Sequence, residues 1–419
     1  MFPDQENSPR VLVATTVHWV STTRFCLALA RCGCAVAVIA PSDHELHGTR
    51  GIAAHNVFDS AAGGLAEALA RAIAAWSPGM VIPCDDPAAE ALHALHADAL
   101  HRAGPQSSGL IALIENSLGP ASSFSFAWSK SDFIAFAEAE GITVPETARV
   151  RDFGELRDRL KGMNFPVVLK VDGSWGGLGV RIVGSRDEAE RAFSEFITLP
   201  SWPETATRAI RRRGIAPLRE RLRNRMLRDQ LDGRAPLISL QRHIDGRPAN
   251  RALVCWHGEV LAGISVEALE TCNDTGPATI ARVIDHQEMA QVAAQLVARL
   301  RLSGLYGFDF MLEAGTGRVF LLEMNARPTQ TSHLALGDGA DLAGALYAKL
   351  AGTPLRRTIS RRSPTVITFH QSKYLRSSIH DDDDEPRRRW IRRLTGRRLL
   401  EPALDIPSPL TPLVPLDES

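Results

Sequence analysis

GFDFMLEAGTGRVFLLEMNAR, residues Gly307 to Arg327, places an Asp, a Glu, an Asn and an Arg on two apolar segments joined by a glycine-bearing turn. The turn is Ala314-Gly315-Thr316-Gly317-Arg318, whose glycines supply the φ > 0 conformations that a tight reversal needs. With Thr316 at the centre, Asp309 and Glu323 are equidistant from it and face each other across an antiparallel hairpin. Alternation puts Phe308, Phe310 and Leu312 on one side and Asp309 on the other, and gives Leu321, Glu323, Asn325 and Arg327 one parity on the returning strand. Like charges directly opposite destabilise a sheet, so the arrangement is tolerable mainly with a cation between them. Oxygen-only ligands suit Mg²⁺, which completes its octahedron with waters and phosphates. The plainer alternative is an exposed hairpin with solvated charges.

A chain of 419 residues has room for two or three domains. Its formal net charge is zero and its aromatic content 6%, which gives no support to a global attraction for nucleic acid or an acidic membrane. The six cysteines are scattered, and only Cys32 and Cys34 lie close together, which points to reduced structural thiols and not to a zinc site. The N-terminal MFPDQENSPR lacks an apolar signal core, and no apolar run reaches the length of a membrane span. A soluble cytoplasmic protein is the expectation, and a homo-oligomer is compatible with it.

The first 121 residues alternate strand and helix, as an open, Rossmann-like parallel sheet with crossover helices. Val11 to Thr16, Ala35 to Pro41 and Met80 to Pro83 read as strands, and Arg24 to Arg31, Leu65 to Trp76 and Pro87 to Leu100 as helices. Asp85 and Asp86 end a strand where such sheets bind ligands, yet Asp86, before Pro87, is equally a helix N-cap, and the cap reading is preferred. Residues 122–200 form a second unit, with a helix at Lys130 to Glu140 and a strand at Phe165 to Val171. Residues 201–235 are an Arg-rich, helical insertion, either a solvated face or a surface for a phosphorylated or acidic partner. Residues 236–352 resume strands at Pro236 to Ile244 and Ala249 to Ser265, with helices at Gln287 to Leu302 and Asp341 to Gly352. Residues 353–419, with an acidic run, a basic run and a Pro-rich end, read as a weakly ordered or docked tail.

FPVVLKVDGSWGGLGVRIV, Phe165 to Val183, is the second polar constellation. Val167, Leu169 and Val171 face one way and Lys170 the other, and Gly173-Ser174-Trp175-Gly176-Gly177-Leu178-Gly179 follows at once. Glycines let backbone N–H groups approach an anion closely. The loop is not a Walker A motif, whose Lys follows the glycines, and it leads into a strand, unlike a dinucleotide fingerprint. A glycine-rich hairpin with Lys at its base suits a polyphosphate; a flexible turn beside a surface Lys is the plainer reading.

Together, Ser129-Lys130, FPVVLKVDGSWGGLGV, LQRHIDG and LLEMNARPTQ, in that order, closely resemble the ATP-grasp superfamily over about four-fifths of the chain. The resemblance implies a mixed α/β and α+β fold in which two β-rich lobes clasp ATP. Lys130 and Lys170 then match the two nucleotide-contacting lysines, and Gly173, Gly176, Gly177 and Gly179 close over the phosphates. Gln241 to Ile244 match the inter-lobe strand that binds adenine, with Ile244 giving a main-chain contact. Many relatives carry Glu where Gln241 stands, and Gly246 to Asn250 offer no ribose-binding acid. Asp309, Glu323 and Asn325 match the metal ligands, for two Mg²⁺ or Mn²⁺ ions, and Arg327 the cation that steadies the transferred group. Arg282, in GPATIARVI, orients the carboxylate or acyl phosphate.

Such enzymes transfer the γ-phosphate to a carboxylate, and an amine or other nucleophile then displaces phosphate, so the implied partners are small molecules. Trp175 reads as a lid or as a packing anchor, and Thr329, Gln330 and His333 stand where a carboxylate or acceptor would be contacted, His333 as a general base or a structural residue. Three classes follow: a carboxylate–amine ligase, a biotin-carboxylase or carbamoyl-phosphate-type enzyme that activates bicarbonate, and a non-catalytic nucleotide-binding module.

Overall fold

The computed structural model describes residues 8–58, 64–102, 104–172, 179–197, 237–337, 339–354 and 366–369. Strands β1 (Arg10–Ala14), β2 (Ala35–Ala40), β3 (Ala54–Val57) and β4 (Met80–Pro83) form a parallel sheet in the order β3-β2-β1-β4. β1, β2 and β4 are apolar nearly throughout, as strands covered on both faces must be. Helices α1 (Val20–Cys32) and α9 (Leu342–Ala351) cover one face, and α2 (Leu65–Trp76), α3 (Asp86–Arg102) and α4 (Pro105–Leu118) the other. The chain passes from β1 to β2 on one side and reaches β4 on the other. The crevice beyond the C-terminal ends of β1 and β4 is therefore a switch point, where open α/β sheets bind ligands.

A second sheet, in the order β5-β8-β6-β7, is antiparallel: β5 (Thr147–Val150), β6 (Val167–Val171), β7 (Val180–Val183) and β8 (Ile238–Arg242). Val167, Leu169 and Val171 pack as expected into a core with α6 (Phe153–Leu160) and α7 (Arg186–Ile197). Lys170 alternates to the other face, where Ser239 and Gln241 are also buried. Gly173, Trp175, Gly176 and Gly177 lie outside the described residues, as does the Arg-rich 201–235 segment.

The third sheet has six strands in the order β13-β12-β9-β10-β11-β14. These are β9 (Gly246–Trp256), β10 (Glu259–Thr271), β11 (Ala278–Ile284), β12 (Gly304–Glu313), β13 (Val319–Asn325) and β14 (Val366–Thr368). The stretch expected as one extended run from Ala249 to Ser265 is a hairpin that reverses at His257 and Gly258, both with positive φ. β14, from the segment expected to be weakly ordered or docked, adds an edge to β11. One face of this sheet packs on α5 (Lys130–Ala139) and α8 (Gln287–Leu300), around Phe308, Phe310 and Leu321. The other face, through Ala252, Val254, Ile264 and Val266, is continuous with the core under α1 and α9. Residues 243–245 carry the chain from the second sheet to the third. None of the six cysteines forms a disulfide. Among the described residues no helix is long and apolar enough to cross a membrane.

Candidate active site

Asp309 stands directly opposite Glu323 and Gly307 opposite Asn325, the pairing expected from the sequence. Gly315 and Gly317 in the turn have φ of 79° and 69°. Closer to that turn the ladder runs one residue differently, Phe310 facing Leu321 and Leu312 facing Val319, with Leu322 as the extra residue. This bulge corrects one expectation. Leu321 does not share a face with Glu323; it is buried with Phe308 and Phe310, because an extra residue resets the alternation.

The carboxylates are held by donors from three directions. Asn325 Nδ2 donates to Asp309 Oδ2 at 2.9 Å, and Asn250 Nδ2, from the adjacent strand β9, donates to Asp309 Oδ1 at 2.6 Å. Lys130 Nζ, at the start of α5, meets Glu323 Oε2 at 2.8 Å. Burial and the charge of Glu323 push the Asp309 carboxyl up to about 7. Burial acts on Glu323 in the same sense, but the charges of Lys130 and Lys170 outweigh it and hold Glu323 low. Two carboxylates face to face, one of them reluctant to ionise without further positive charge, and an adjacent amide oxygen form an oxygen-only donor set that fits a divalent cation of the Mg²⁺ type.

Lys170 reaches the same cluster from the second sheet. Burial pulls its ammonium down to about 8, Lys130 pulls the same way, and Glu323, Asp309 and Asp172 oppose them. Lys130 goes up despite burial, because Glu323 is in contact with it. Ser129 and Ser131 flank Lys130 and donate to Asp172 Oδ2 at 3.2 and 3.1 Å, which ties the start of α5 to the end of β6, where the glycine-rich loop begins. Gly179 closes that hairpin by accepting from Val171 N–H at 2.9 Å.

Arg327 extends the cluster to the N-terminal sheet. Its Nε donates to Asp86 Oδ1 at 3.1 Å, its Nη2 donates to Asn325 Oδ1 at 3.0 Å, and its guanidinium lies 4.8 Å from the ring of Trp19. The cap expectation is corrected here. Asp85, not Asp86, caps α3, accepting from Ala88 N–H at 2.9 Å while also holding Thr15 and Thr16 of the β1 loop. Asp86 is thereby free to hold Arg327. The switch-point crevice and the hairpin meet at this pair.

Gln241 is buried on the cleft face and donates to Thr147 Oγ1 at 2.9 Å. Ile244, in the link between the sheets, is buried, and among the described residues neither of its backbone groups makes a hydrogen bond. Arg282 is not brought to the cluster. It pairs with Glu267 in the row of Phe310 and Ala249, on the sheet face opposite Asp309, and Arg247 lies 3.1 Å from the same Glu267. Alternation explains the placement: Val266 and Ala281, their neighbours, point to the Asp309 side.

Asn250 was not singled out by sequence reasoning. Its oxygen accepts from Thr329 Oγ1 at 3.0 Å while its nitrogen serves Asp309, so it orients the first carboxylate. The signal was weak, because pairing of β9 with β12 joins residues some 60 positions apart, as the Asp309–Asn250 register shows. Another cluster of ligand types, His18, His44 and Glu45, makes a poor metal site. Both ring nitrogens of His44 are engaged, by Val17 O at 3.2 Å and by Leu46 N–H at 3.1 Å.

No family model and no curated protein matches this sequence. Solved structures do match its fold. The biotin carboxylase domain dimer of 2-oxoglutarate carboxylase from Hydrogenobacter thermophilus, bound to MgADP, ADP and bicarbonate, aligns with a TM-score of 0.60 at 15% identity over 86% of this chain and 74% of that one. N5-carboxyaminoimidazole synthetase from Staphylococcus aureus, complexed with ADP, aligns with a TM-score of 0.60 at 10% identity, over 89% of this chain and 86% of that one. L-Amino acid ligase from Bacillus licheniformis aligns with a TM-score of 0.56 at 14% identity, over 86% and 80%. All three have the ATP-grasp fold, and this chain shares it.

Proposed function

We propose, from an ATP-grasp fold with this site, that the protein is an ATP- and Mg²⁺-dependent, ADP-forming ligase that activates a carboxylate as an acyl phosphate for attack by an amine or other nucleophile. The observation that carries the reading is the pairing of Asp309 with Glu323 across the hairpin, with Lys130 from the start of α5 on Glu323 at 2.8 Å. Asp309, Glu323 and Asn325 would hold the metal. There Mg²⁺ would supply positive charge to offset that of the nucleotide phosphates and of the transferring group.

The chain's own residues supply the rest. Lys130 and Lys170 bring two ammonium groups to the phosphate side, and a phosphate beside Lys170 would raise its depressed pKa and fix its charge. As the resemblance implies, Gly173, Gly176, Gly177 and Gly179 would cover the phosphates and keep water from an acyl phosphate. Ile244 offers its backbone, and Gln241 its neighbourhood, to adenine. Arg327, anchored by Asp86, stands where the crevice of the first sheet meets the metal hairpin, and it steadies the acid as its oxygen attacks the γ-phosphorus. The bond from that phosphorus to the β–γ bridging oxygen breaks and ADP leaves. The nucleophile then attacks the acyl carbon, phosphate departs with the bonding pair, and the ammonium proton passes to solvent. Phosphoryl transfer of this kind rests on positioning and charge neutralisation, which this constellation is built to give. Arg282, paired with Glu267 behind the sheet, has no part in these steps.

The test is release of ADP and phosphate against a panel of carboxylic acids, bicarbonate included, crossed with amines, ammonia and thiols. ADP and phosphate should appear together with one acid–nucleophile pair and be abolished by Glu323→Ala. AMP with pyrophosphate would overturn the mechanism, and turnover with bicarbonate alone would select a carboxylating enzyme.

A further inference from the structure

Lys130 stands between two serines, and both are tied to the second sheet by the same residue. Arg149, on β5, donates through Nη2 to Ser129 Oγ at 2.9 Å and through Nε to Ser131 Oγ at 2.7 Å. Those two hydroxyls donate in turn to Asp172 Oδ2, at 3.2 and 3.1 Å. A guanidinium only donates and an ionised carboxylate only accepts, so each serine proton is turned away from Arg149 and toward Asp172. The result is an ion pair bridged by two hydroxyls, with Lys130 held between them. Both serines are 9% exposed, and Asp172 Oδ1 is buried without a hydrogen bond among the described residues, so this bridge is what satisfies the carboxylate.

The sheet register shows what the bridge spans. Ser239 of β8 faces Arg149 on one side and Lys170 on the other, which puts Arg149, Ser239 and Lys170 in one row, two strand spacings or about 10 Å from end to end. Val150 alternates into the core behind the sheet with Leu169, so the row faces the cleft. Across it lies the start of α5, where Arg149 Nη2 also meets Asp132 Oδ1 at 2.6 Å. From there the Lys130 side chain reaches the third sheet, at Glu323 Oε2. A forked guanidinium serves both serines at once, which a single ammonium cannot do.

We propose that Arg149 and Asp172 are positioning residues of the nucleotide site: bridged through Ser129 and Ser131, they hold the start of α5 against the end of β6 and so set Lys130 in place beside Lys170. The inference rests on the nucleotide site of the ligase reading. Arg149 acts through Lys130, its Nε and Nη2 being engaged by the serines and Asp132.

The experiment is calorimetric titration of Mg·ADP into the full chain, as wild type, Arg149→Gln, Asp172→Asn, their double variant and Arg149→Lys, with urea denaturation of each. Charge alone would make the first two changes act oppositely, because losing a cation weakens an anion site and losing a carboxylate strengthens it. The bridge predicts that both weaken Mg·ADP, each by about tenfold. The double variant should stay within about twofold of the weaker single one, since one bridge is broken only once. Arg149→Lys should recover part of the loss and bind about threefold more weakly than wild type. Arg151→Gln, at an exposed position paired with Glu155, should bind as wild type does. The inference is overturned if Asp172→Asn binds as tightly as wild type or more tightly, if the two losses add, or if Arg151→Gln loses as much as Arg149→Gln. Should Arg149→Gln fail to fold, Asp172→Asn, which keeps the shape of the side chain, decides by the sign of its effect. A wild type that binds no Mg·ADP would overturn the ligase reading and this inference with it, whereas variants that match a binding wild type would overturn the inference alone.

Discussion

Asn250 shows how much of the site depends on a residue that is neither metal ligand nor charge. It donates to Asp309 and accepts from Thr329, fixing which carboxylate lone pairs face the cleft. Partners that orient metal ligands typically matter ten- to a hundredfold in affinity. Asn250→Ala should therefore weaken metal-dependent ADP binding by about tenfold while costing the fold only about 1 kcal/mol, as for one lost hydrogen bond. Isothermal titration against Mg·ADP, with a urea melt for stability, separates the two. At this scale the sequence was readable where local rules apply. Asp309 facing Glu323 is the pairing expected with Thr316 at the centre, though the pairs nearer the turn centre between Gly315 and Thr316 and the bulge at Leu322 restores the match. Lys170 opposite Val167, Leu169 and Val171 follows from alternation. Asn250 on Asp309 and Asp86 on Arg327 were not readable, because each joins segments that only the tertiary fold brings together. The resemblance offers Arg282 as a residue that orients the carboxylate or acyl phosphate, and strand parity, which depends on where β11 begins, sends it to the other face.

The β12–β13 hairpin carries the site because of two departures from a regular ladder. The bulge at Leu322 lets Leu321 stay in the apolar core while Glu323 turns to the cleft. On β12, Gly307 sits opposite Asn325, and a Cβ there would meet Thr329 Cγ2 at 2.2 Å. Glycine at this position is thus what allows Thr329 to reach Asn250. Gly307→Ala should displace Thr329 and cost about 1–3 kcal/mol, as overpacking does. It should also lower metal-dependent ADP affinity in the same direction as Asn250→Ala, and the double variant should be less than additive, because both act through one hydrogen-bond chain. Full additivity would show that the two residues work separately. The turn glycines could be read from sequence; the bulge could not, since an extra residue leaves no local mark in a run of leucines and a phenylalanine.

Across the molecule, the first sheet, the small antiparallel sheet and the six-stranded sheet each contribute one edge of a single cleft. Asp86 comes from the first, Lys170 and Gln241 from the second, and Asp309, Glu323 and Asn325 from the third. The order of the three units was legible in the chain, because apolar alternation and glycine punctuation are local signals. That residues 366–369 return to extend the third sheet was not, since a three-residue edge strand has no periodicity to recognise. The proposed function requires that a divalent cation and a nucleotide meet at Asp309 and Glu323. Titration of ADP into the full chain by calorimetry, with and without Mg²⁺, tests it without knowledge of the acid or the nucleophile. Wild type should bind ADP at least about tenfold more tightly with Mg²⁺ than without it, and Glu323→Gln and Asp309→Asn should each remove most of that difference. ADP binding that gains nothing from Mg²⁺, or a gain that survives in both variants, would contradict the account.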